Sequence, residues 1–303
     1  MKTVFLDSAL INPGDISWSG LKALGELTVY ERTGREEAVE RLKDAEAVFT
    51  DSFGIDRKLM EACPKLRFIG ISATGFNHVD LKAAAELNIA VANVPSYAAE
   101  AVAQHAVALM LYITNKVAVY NEAVVSGEWQ SCRDYTFIKA PITLLAGKSI
   151  GIVGCGAIGS KVAEIAKALG MSVNIYSRDK EAAISSDVVS LSCPLTDETA
   201  GMVDSSFISM MKDGAILINT ARGGLVDEEA LAEALRSGKL AGAGLDVLAH
   251  EPPVEGSPLI GAPNCFITPH IGFIPVETRR TVMETCEANL RSFMEGGRLN
   301  RLV

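Results

Sequence analysis

The chain has 303 residues, which is longer than one ordinary core requires and predicts two domains. Hydrophobic residues make up 49% and charged residues 21% of the sequence, a balance that excludes a disordered or fibrous protein. A formal net charge of -9 and a pI near 5.1 disfavour nucleic acid and anionic membranes as partners, because either would require a basic patch.

The amino terminus and the cysteines indicate the compartment. The first residues meet an acid and a proline too early for a secretory signal, and no uninterrupted apolar run reaches transmembrane length. A soluble, cytoplasmic protein with no membrane partner is therefore expected. The cysteines form no C-x-x-C pair and have no nearby histidine ligand, which predicts reduced thiols and no bound metal. They are Cys63, Cys132, Cys155, Cys193, Cys265 and Cys286.

Short apolar runs alternate with helical patterns over roughly the first hundred residues. This alternation predicts parallel strands with helices on both faces of the sheet. The predicted strands span 2–6, 27–30, 47–50, 66–71 and 89–94.

A long stretch rich in Ala, Val and Leu follows at 98–119. It is apolar around most of its circumference, so it predicts one buried helix that links two domains. A second alternating series comes after it, and the helix predicted over 277–293 follows that series. The strands predicted in the second series span 149–153, 172–176, 188–191, 215–219, 242–246 and 265–268.

A glycine motif opens the second series. Gly154, Gly156 and Gly159 enclose Ala157 and Ile158 in the run G-C-G-A-I-G, directly after a predicted strand and directly before a predicted helix. The first glycine permits a tight turn, the second lets the backbone approach a pyrophosphate, and the third lets helix and strand pack closely. The helix N-terminus favours the anion. The motif in this context predicts a dinucleotide site.

The residues after the next strand bear on the choice of dinucleotide. An acidic residue usually binds the ribose hydroxyls about 20 residues beyond such glycines, and here that place holds Tyr176, Ser177 and Arg178. Serine and arginine can bind a 2'-phosphate that an acid would repel, so NADP is favoured over NAD. NAD remains the alternative coenzyme, because Asp179 lies close enough to bind the ribose hydroxyls. Arg178 would then be a solvated loop residue.

These patterns predict an α/β fold of two Rossmann-like or flavodoxin-like domains with parallel sheets. The last helix comes after the second sheet is complete, so it is expected to pack on the first domain. The predicted substrate domain is therefore discontinuous, at 1–97 plus 276–303, and the dinucleotide-binding domain spans 98–275.

Arg222 is one of three ionisable residues at or just after strand ends in the second series, where open α/β sheets bind their ligands. Its fork of donors suits a carboxylate or a polarised carbonyl oxygen, and a surface ion pair is the alternative. The two glycines after it predict a tight turn that aims the side chain back across the strand ends.

Glu251 and His270 are the other two, and each lies next to a proline that restricts the backbone. A carboxylate beside an imidazole holds its tautomer and favours the imidazolium, an acid able to protonate a keto oxygen near neutral pH. A lone histidine is usually structural, which is the interpretation given to His78, His105 and His250. Together, the dinucleotide motif, Arg222 and the pair of Glu251 and His270 predict hydride transfer between a nicotinamide dinucleotide and a small 2-hydroxy or 2-keto acid.

Six segments together resemble the D-isomer-specific 2-hydroxyacid dehydrogenases over nearly the whole chain. They are A-T-G-F-N-H-V-D, N-V-P-S-Y-A-A-E-A-V-A-Q-H, the glycine motif, I-N-T-A-R-G-G-L-V-D, G-L-D-V-L-A-H-E-P-P and T-P-H-I-G. The resemblance implies that Arg222 orients the substrate, that Glu251 supports His270, and that His270 donates the proton. It implies a homodimer as well.

The resemblance also implies binding residues. Backbone amides around Thr74 and Gly75 would hold the substrate carboxylate, and Asp246 would lie near the nicotinamide. The remaining implied cofactor contacts are Cys193, Pro194, Thr220, Ala221, His270 and Gly272.

The runs G-E-W-Q-S-C-R-D-Y-T-F and H-I-G-F-I-P-V-E-T-R are most similar to the glycerate dehydrogenase and hydroxypyruvate reductase branch. Formate dehydrogenases of this fold carry an amide where Glu251 stands. Two departures concern the coenzyme: Ser177 replaces the usual aspartate, and only residues 178–186 separate the second strand from the third. A dinucleotide-sensing corepressor is the alternative function; it would be expected to carry extra tails or a peptide-binding cleft, and the sequence stops soon after its last predicted helix.

Overall fold

The computed structural model describes all residues from Met1 to Val303. The strands are β1 Lys2–Phe5, β2 Glu26–Val29, β3 Ala47–Thr50, β4 Phe68–Ile71, β5 Ala90–Ala92, β6 Ser149–Val153, β7 Ser172–Ile175, β8 Val188–Leu191, β9 Ala215–Asn219, β10 Leu240–Leu245 and β11 Cys265–Ile267. The helices are α1 Ser19–Lys22, α2 Ala38–Leu42, α3 Arg57–Ala62, α4 Leu81–Glu86, α5 Ala99–Asn115, α6 Val117–Val125, α7 Ala157–Ala168, α8 Lys180–Ile184, α9 Ser205–Met210, α10 Glu228–Arg236 and α11 Val276–Met294.

The chain divides into two compact units. The first unit comprises Met1–Tyr97 and Ile274–Val303, and the second comprises Ala98–Phe273. The first unit holds a five-stranded parallel sheet in the order β2-β1-β3-β4-β5. This is the flavodoxin-like order. The C-terminal tail pairs with the edge strand β5 at a single antiparallel bridge, where the Leu302 N–H donates to the Val91 carbonyl at 2.8 Å.

Aromatic rings build much of the core of the first unit. Phe5, Phe49 and Phe68 come from neighbouring strands, with centroids 5.7 and 5.9 Å apart, and Phe293 of α11 lies 5.0 Å from Phe68. A Cβ on Gly70 would lie 2.1 Å from the Phe49 ring, so only glycine fits beneath it. This packing places α11 against β4.

The second unit holds a six-stranded parallel sheet in the order β11-β10-β9-β8-β6-β7. The strand order reverses at β6, which pairs with β7 on one side and β8 on the other. Open α/β sheets bind ligands beyond the carboxyl ends of their strands at such a switch point. The glycine motif follows β6 and therefore lies at that point. With both sheets parallel, the predicted fold class is confirmed.

The single helix predicted over 98–119 is wrong. α5 ends at Asn115, Lys116 takes a left-handed backbone with φ 52°, and α6 leaves at a bend of 57°. The Thr114 carbonyl accepts the Thr143 N–H at 3.0 Å, so the last turn of α5 is bound to a later segment of the chain. Both helices lie inside the second unit. No single helix is long and apolar enough to cross a membrane, and only this bent pair reaches that length and composition.

Candidate active site

The glycine loop lies between the ends of β6 and β8. Gly154 has φ 94°, and a Cβ there would lie 2.5 Å from the backbone nitrogen of Cys193. Both the backbone conformation and the close packing therefore require glycine at this position. A Cβ on Gly159 would lie 2.0 Å from the Gly154 carbonyl oxygen. These two glycines let the loop, the strand and α7 pack at backbone distance.

Gly156 has a different role because a Cβ there would meet nothing within 4 Å. The space above it is open. No side chain caps the amino end of α7, so the N–H groups of Ala157 and Ile158 stay available to an anion. The loop therefore fits the pyrophosphate of a dinucleotide.

Two buried hydroxyls at the ends of the neighbouring strands β8 and β9 have no hydrogen-bond partner. Thr220 Oγ1 lies just beyond β9 and Ser192 Oγ just beyond β8, both at carboxyl ends of strands. A buried hydroxyl without a partner costs free energy that a ligand can recover. The turn after Thr220 is fixed by a hydrogen bond, in which the Ala221 N–H donates to Asn219 Oδ1 at 3.0 Å. These atoms also fit a bound dinucleotide.

The implied contacts Cys193 and Pro194 follow β8. Burial raises the pKa of the Cys193 thiol, so that thiol stays neutral. The Pro194 carbonyl accepts a hydrogen bond from Thr199 Oγ1 at 2.8 Å, which fixes the turn.

Exposed Ser177 and Arg178 follow β7 in a tight turn. The Asp179 carboxylate, by contrast, is engaged within the protein, because its Oδ1 accepts the Ala182 N–H at 3.0 Å and so caps α8. Lys180 lies over the Tyr176 ring at 5.2 Å from its centroid. The side chains free to meet a ribose at this edge are therefore neutral or basic.

The short crossover between β7 and β8 contains only the five-residue helix α8. Its backbone lies directly on β6, because a Cβ on Gly151 would fall 1.9 Å from the Ala183 carbonyl oxygen. A glycine in β6 thus makes the short connection possible.

Arg222 follows β9 and is exposed, with no carboxylate within 4.0 Å. Its Nη1 donates to the Ala221 carbonyl at 2.7 Å, and its own carbonyl accepts from Asn219 Nδ2 at 2.9 Å. The alternative of a surface ion pair is therefore wrong. Its positive charge acts on Glu251 and His270 and favours a lower pKa for each of them.

The glycines after Arg222 do not act as predicted. Gly223 begins a 3-10 turn, and neither it nor Gly224 has a positive φ. A Cβ on Gly223 would lie 1.9 Å from the backbone carbon of Leu248, and one on Gly224 would lie 3.0 Å from Leu195. Glycine is required here by close packing of two chain segments and not by the conformation of the turn.

Glu251 and His270 form the centre of the site. His270 Nδ1 lies 2.7 Å from Glu251 Oε2, and the other oxygen, Oε1, accepts the Leu248 N–H at 2.9 Å. The carboxylate is thus held from both sides. It accepts the Nδ1 proton, which leaves Nε2 to exchange a proton with a ligand.

The charges in the pair reinforce its chemistry. The hydrogen bond that His270 donates to Glu251 raises the pKa of His270, burial opposes this, and the charges of Glu251 and Asp246 add to the rise. Burial would raise the pKa of Glu251, but the hydrogen bonds from His270 and the Leu248 N–H together lower it. The imidazolium therefore persists to higher pH than in an isolated histidine, although 43% of the His270 side chain is exposed.

Asp246 is 2% exposed and directly follows β10. Its Oδ1 accepts the Ile271 N–H at 2.9 Å and its Oδ2 accepts the Gly272 N–H at 2.8 Å. The His270 N–H donates to the Asp246 backbone carbonyl at 2.8 Å. Both Asp246 carboxylate oxygens are occupied by the turn that carries the imidazole.

Thr74 and Gly75 lie in the first unit, beyond β4. Thr74 Oγ1 donates to the Val94 carbonyl at 2.8 Å, and the Thr74 carbonyl accepts from Asn93 Nδ2 at 2.8 Å. Asn289 Nδ2 in turn donates to the Asn93 carbonyl at 2.9 Å. This loop is braced by buried amides, and its implied role in binding a carboxylate remains a prediction.

A family model for the NAD-binding domain of D-isomer specific 2-hydroxyacid dehydrogenases matches residues 107–272. A hydroxypyruvate reductase from Blautia hydrogenotrophica is 44% identical over 318 residues, covering 99% of both chains. The chain belongs to the D-isomer specific 2-hydroxyacid dehydrogenases.

Other relatives agree with this assignment. A glycerate dehydrogenase from Methylorubrum extorquens is 36% identical over 306 residues, covering 97% of this dehydrogenase and 96% of that relative. The crystal structure of the TT0316 protein from Thermus thermophilus superimposes with a TM-score of 0.87 at 34% identity, covering 100% of both chains. The family resemblance and the hydride-transfer activity predicted from the motifs are confirmed.

Sequence reasoning missed some residues that shape this dehydrogenase. His105, taken as structural, lies 3.2 Å from Asp246 Oδ1, and Asn219 braces the segment that carries Arg222. The signal for His105 was a polar residue within the long apolar stretch that became α5. No local pattern pointed to Asn219.

Proposed function

We propose that this dehydrogenase reduces hydroxypyruvate, glyoxylate or a similarly small 2-keto acid, and oxidises the matching D-2-hydroxy acid in reverse. The observation that carries the proposal is the 2.7 Å contact between Glu251 and His270 at the carboxyl edge of a sheet that also presents the glycine loop. The names of the relatives, hydroxypyruvate reductase and glycerate dehydrogenase, support a small polar substrate.

The second unit is proposed to bind the dinucleotide and the first the substrate carboxylate. A bound reduced nicotinamide supplies the hydride. His270 protonates the keto oxygen through Nε2, and Glu251 stabilises the imidazolium before the transfer. Arg222, free of any ion pair, directs its fork of donors at the carboxylate or carbonyl of the substrate. Backbone amides at Thr74 and Gly75 hold the carboxylate.

A panel of 2-keto acids tests the proposal. With reduced coenzyme followed by absorbance, kcat/KM is expected to be highest for hydroxypyruvate and glyoxylate, and lower for pyruvate and for a branched 2-keto acid. Dinucleotide binding without turnover of any 2-keto acid would instead support a sensor. A preference for the branched acid would reject the proposed substrate size.

NADP is the proposed coenzyme. Ser177 and Arg178 are exposed beyond β7, and Lys180 lies nearby, whereas the carboxylate of Asp179 is engaged in capping α8. This edge can hydrogen-bond and neutralise a 2'-phosphate. Asp179 is accordingly less suited to bind free ribose hydroxyls.

The ratio of kcat/KM for NADPH to that for NADH tests the coenzyme. We expect the parent to prefer NADPH, and Ser177→Asp to move the ratio toward NADH by about tenfold or more, the scale of a contact worth roughly 1–2 kcal/mol. Ser172→Asp, at the other end of β7, adds the same charge and should leave the ratio unchanged. A parent that already prefers NADH would exclude the proposal.

A homodimer is proposed as well. A surface of the second unit exposes apolar side chains in and after α6, and Tyr135 and Ile138 are 90% and 92% exposed. Monomers rarely expose such a patch, so a second copy of the chain is the proposed occupant. The molar mass from light scattering should be twice that of one chain, and Ile138→Asp should lower the measured molar mass.

A cytoplasmic location is proposed as well. The free cysteines support a reducing compartment.

A further inference from the structure

Three side chains form a chain of hydrogen bonds behind the catalytic turn, in which Asp246 is buried and His105 and Thr268 are partly buried. Thr268 Oγ1 lies 2.6 Å from Asp246 Oδ1, and His105 Nε2 lies 2.8 Å from Thr268 Oγ1. A hydroxyl has one proton, and the ionised Asp246 carboxylate can only accept, so that proton points to Asp246. The Thr268 oxygen must then accept from His105, which fixes the His105 proton on Nε2. The same nitrogen lies 3.2 Å from Asp246 Oδ1.

The carboxylate at the end of this chain holds the turn from His270 to Gly272. It accepts the N–H groups of Ile271 and Gly272, while the Asp246 backbone carbonyl accepts the N–H of His270. His270 has φ 55°, the left-handed region that is uncommon outside glycine. A residue stays in such a conformation only when its surroundings specify it. Here Asp246 supplies that specification.

We propose that His105 and Thr268 are positioning residues, which hold the Asp246 carboxylate where it fixes the turn and thereby the direction of the His270 imidazole. The inference rests on the proposed role of His270 as proton donor. His105 belongs to α5 and Thr268 follows β11, so the long buried helix is tied to the catalytic turn through two side chains.

The electrostatics of the site require these donors. A buried carboxylate is stable only when its lone pairs are satisfied, so removing a donor lets Asp246 rotate, recruit water or bind a proton. Each of these weakens the negative charge that His270 experiences. The other charges that act on the imidazole, those of Glu251 and Arg222, are untouched by the change. The pKa of His270 should therefore fall.

A matched pair of variants tests the role of the hydroxyl. Thr268→Val keeps the shape and removes the hydroxyl, whereas Thr268→Ser keeps the hydroxyl and removes a methyl. We expect Thr268→Val to lower kcat for hydroxypyruvate about tenfold, the scale of one charge-assisted hydrogen bond. Thr268→Ser should stay within about threefold of the parent. His105→Phe and His105→Gln form a second pair, in which glutamine retains a donor.

An NMR titration provides a readout that does not depend on turnover. The chain has only 4 histidines, so labelled imidazole signals can be resolved and assigned by substitution. The pKa of His270 should fall in Thr268→Val and His105→Phe and return toward the parent in Thr268→Ser and His105→Gln. Equal pKa values within each pair, or equal kcat losses within each pair, would overturn the inference. A pairwise difference in pKa with no turnover in the parent would retain it and reject the proposed function.

Discussion

Both units of the molecule end a parallel strand in an aspartate that holds a neighbouring loop. In the first unit Asp7, just beyond β1, accepts the Asp51 N–H at 2.8 Å and the N–H groups of Ser52 and Phe53 at 2.7 Å each. In the second unit Asp246 holds its turn in the same manner, at 2.8 and 2.9 Å. The device is shared because the carboxyl ends of parallel strands leave backbone N–H groups in adjacent loops without partners.

The two aspartates differ in burial and in what their loops carry. Asp7 is only partly buried and its side-chain donors are the hydroxyls of Thr50 and Ser52, whereas Asp246 is almost wholly enclosed and lies against the imidazole of His105 as well as the hydroxyl of Thr268. The turn held by Asp246 carries the imidazole, so its charge reaches a titrating group with little screening. The same local architecture therefore holds a loop in one unit and the turn with the proposed proton donor in the other.

The largest effect should come from the imidazole on the second turn. His270→Ala is expected to lower kcat about 10²- to 10⁴-fold while coenzyme binding persists, because the general acid is lost from the transition state and the glycine loop is unchanged. Steady-state turnover should be compared with a fluorescence titration of reduced coenzyme. His250→Ala removes an exposed histidine of the same unit and serves as the control. Near-parent turnover in His270→Ala would show that the turn held by Asp246 carries no catalytic group.

Arg222→Lys should follow in size. An ammonium cannot reproduce the bidentate fork, so one charge-assisted hydrogen bond is lost and kcat/KM should fall about 10- to 100-fold. Arg236→Lys, at an exposed position of α10, makes the same exchange away from the strand ends and should change little. If the two variants behave alike, Arg222 has no part in substrate binding.

Glu251→Gln should change the pH dependence of the reaction. The Glu251 hydrogen bond and charge raise the pKa of His270, so their loss lowers that pKa. Reduction needs the imidazolium, and its kcat/KM falls as pH rises through the His270 pKa. The falling limb should therefore move to lower pH, and the loss should reach about tenfold only on the alkaline side of the ordinary histidine pKa of about 6.5. Glu255→Gln should leave the falling limb in place. An unmoved limb in Glu251→Gln would show that the Glu251 carboxylate does not set the pKa of the proton donor.

Asp7→Asn should have the smallest effect on activity. The amide keeps one acceptor oxygen and leaves one loop N–H poorly satisfied, which costs about 1–3 kcal/mol of the free energy of unfolding. The falling limb of the pH profile should not move. Asp246→Asn, by contrast, should move the limb to lower pH, because its charge contributes to the raised pKa of His270. Denaturant unfolding and pH profiles of both variants would test the difference between the two aspartates.

Much of the fold and the cofactor loop could be predicted from local sequence. The strands at Ala47–Thr50, Ser149–Val153, Val188–Leu191 and Ala215–Asn219 match their predicted bounds. They are central strands covered on both faces, so their apolar runs begin and end with the strand. The glycines at 154 and 159 could likewise be assigned, since their conformational and packing requirements arise within one strand, turn and helix.

Tertiary structure alone decided the finer features of the site. The sequence determined which residues follow the ends of the strands, because that depends on neighbours in the chain. It could not predict the break at Lys116, the backbone of Leu248 against Gly223, or the link from His105 to Asp246. Each of these depends on a contact between segments that are distant in sequence, and only the packed second unit brings those segments together.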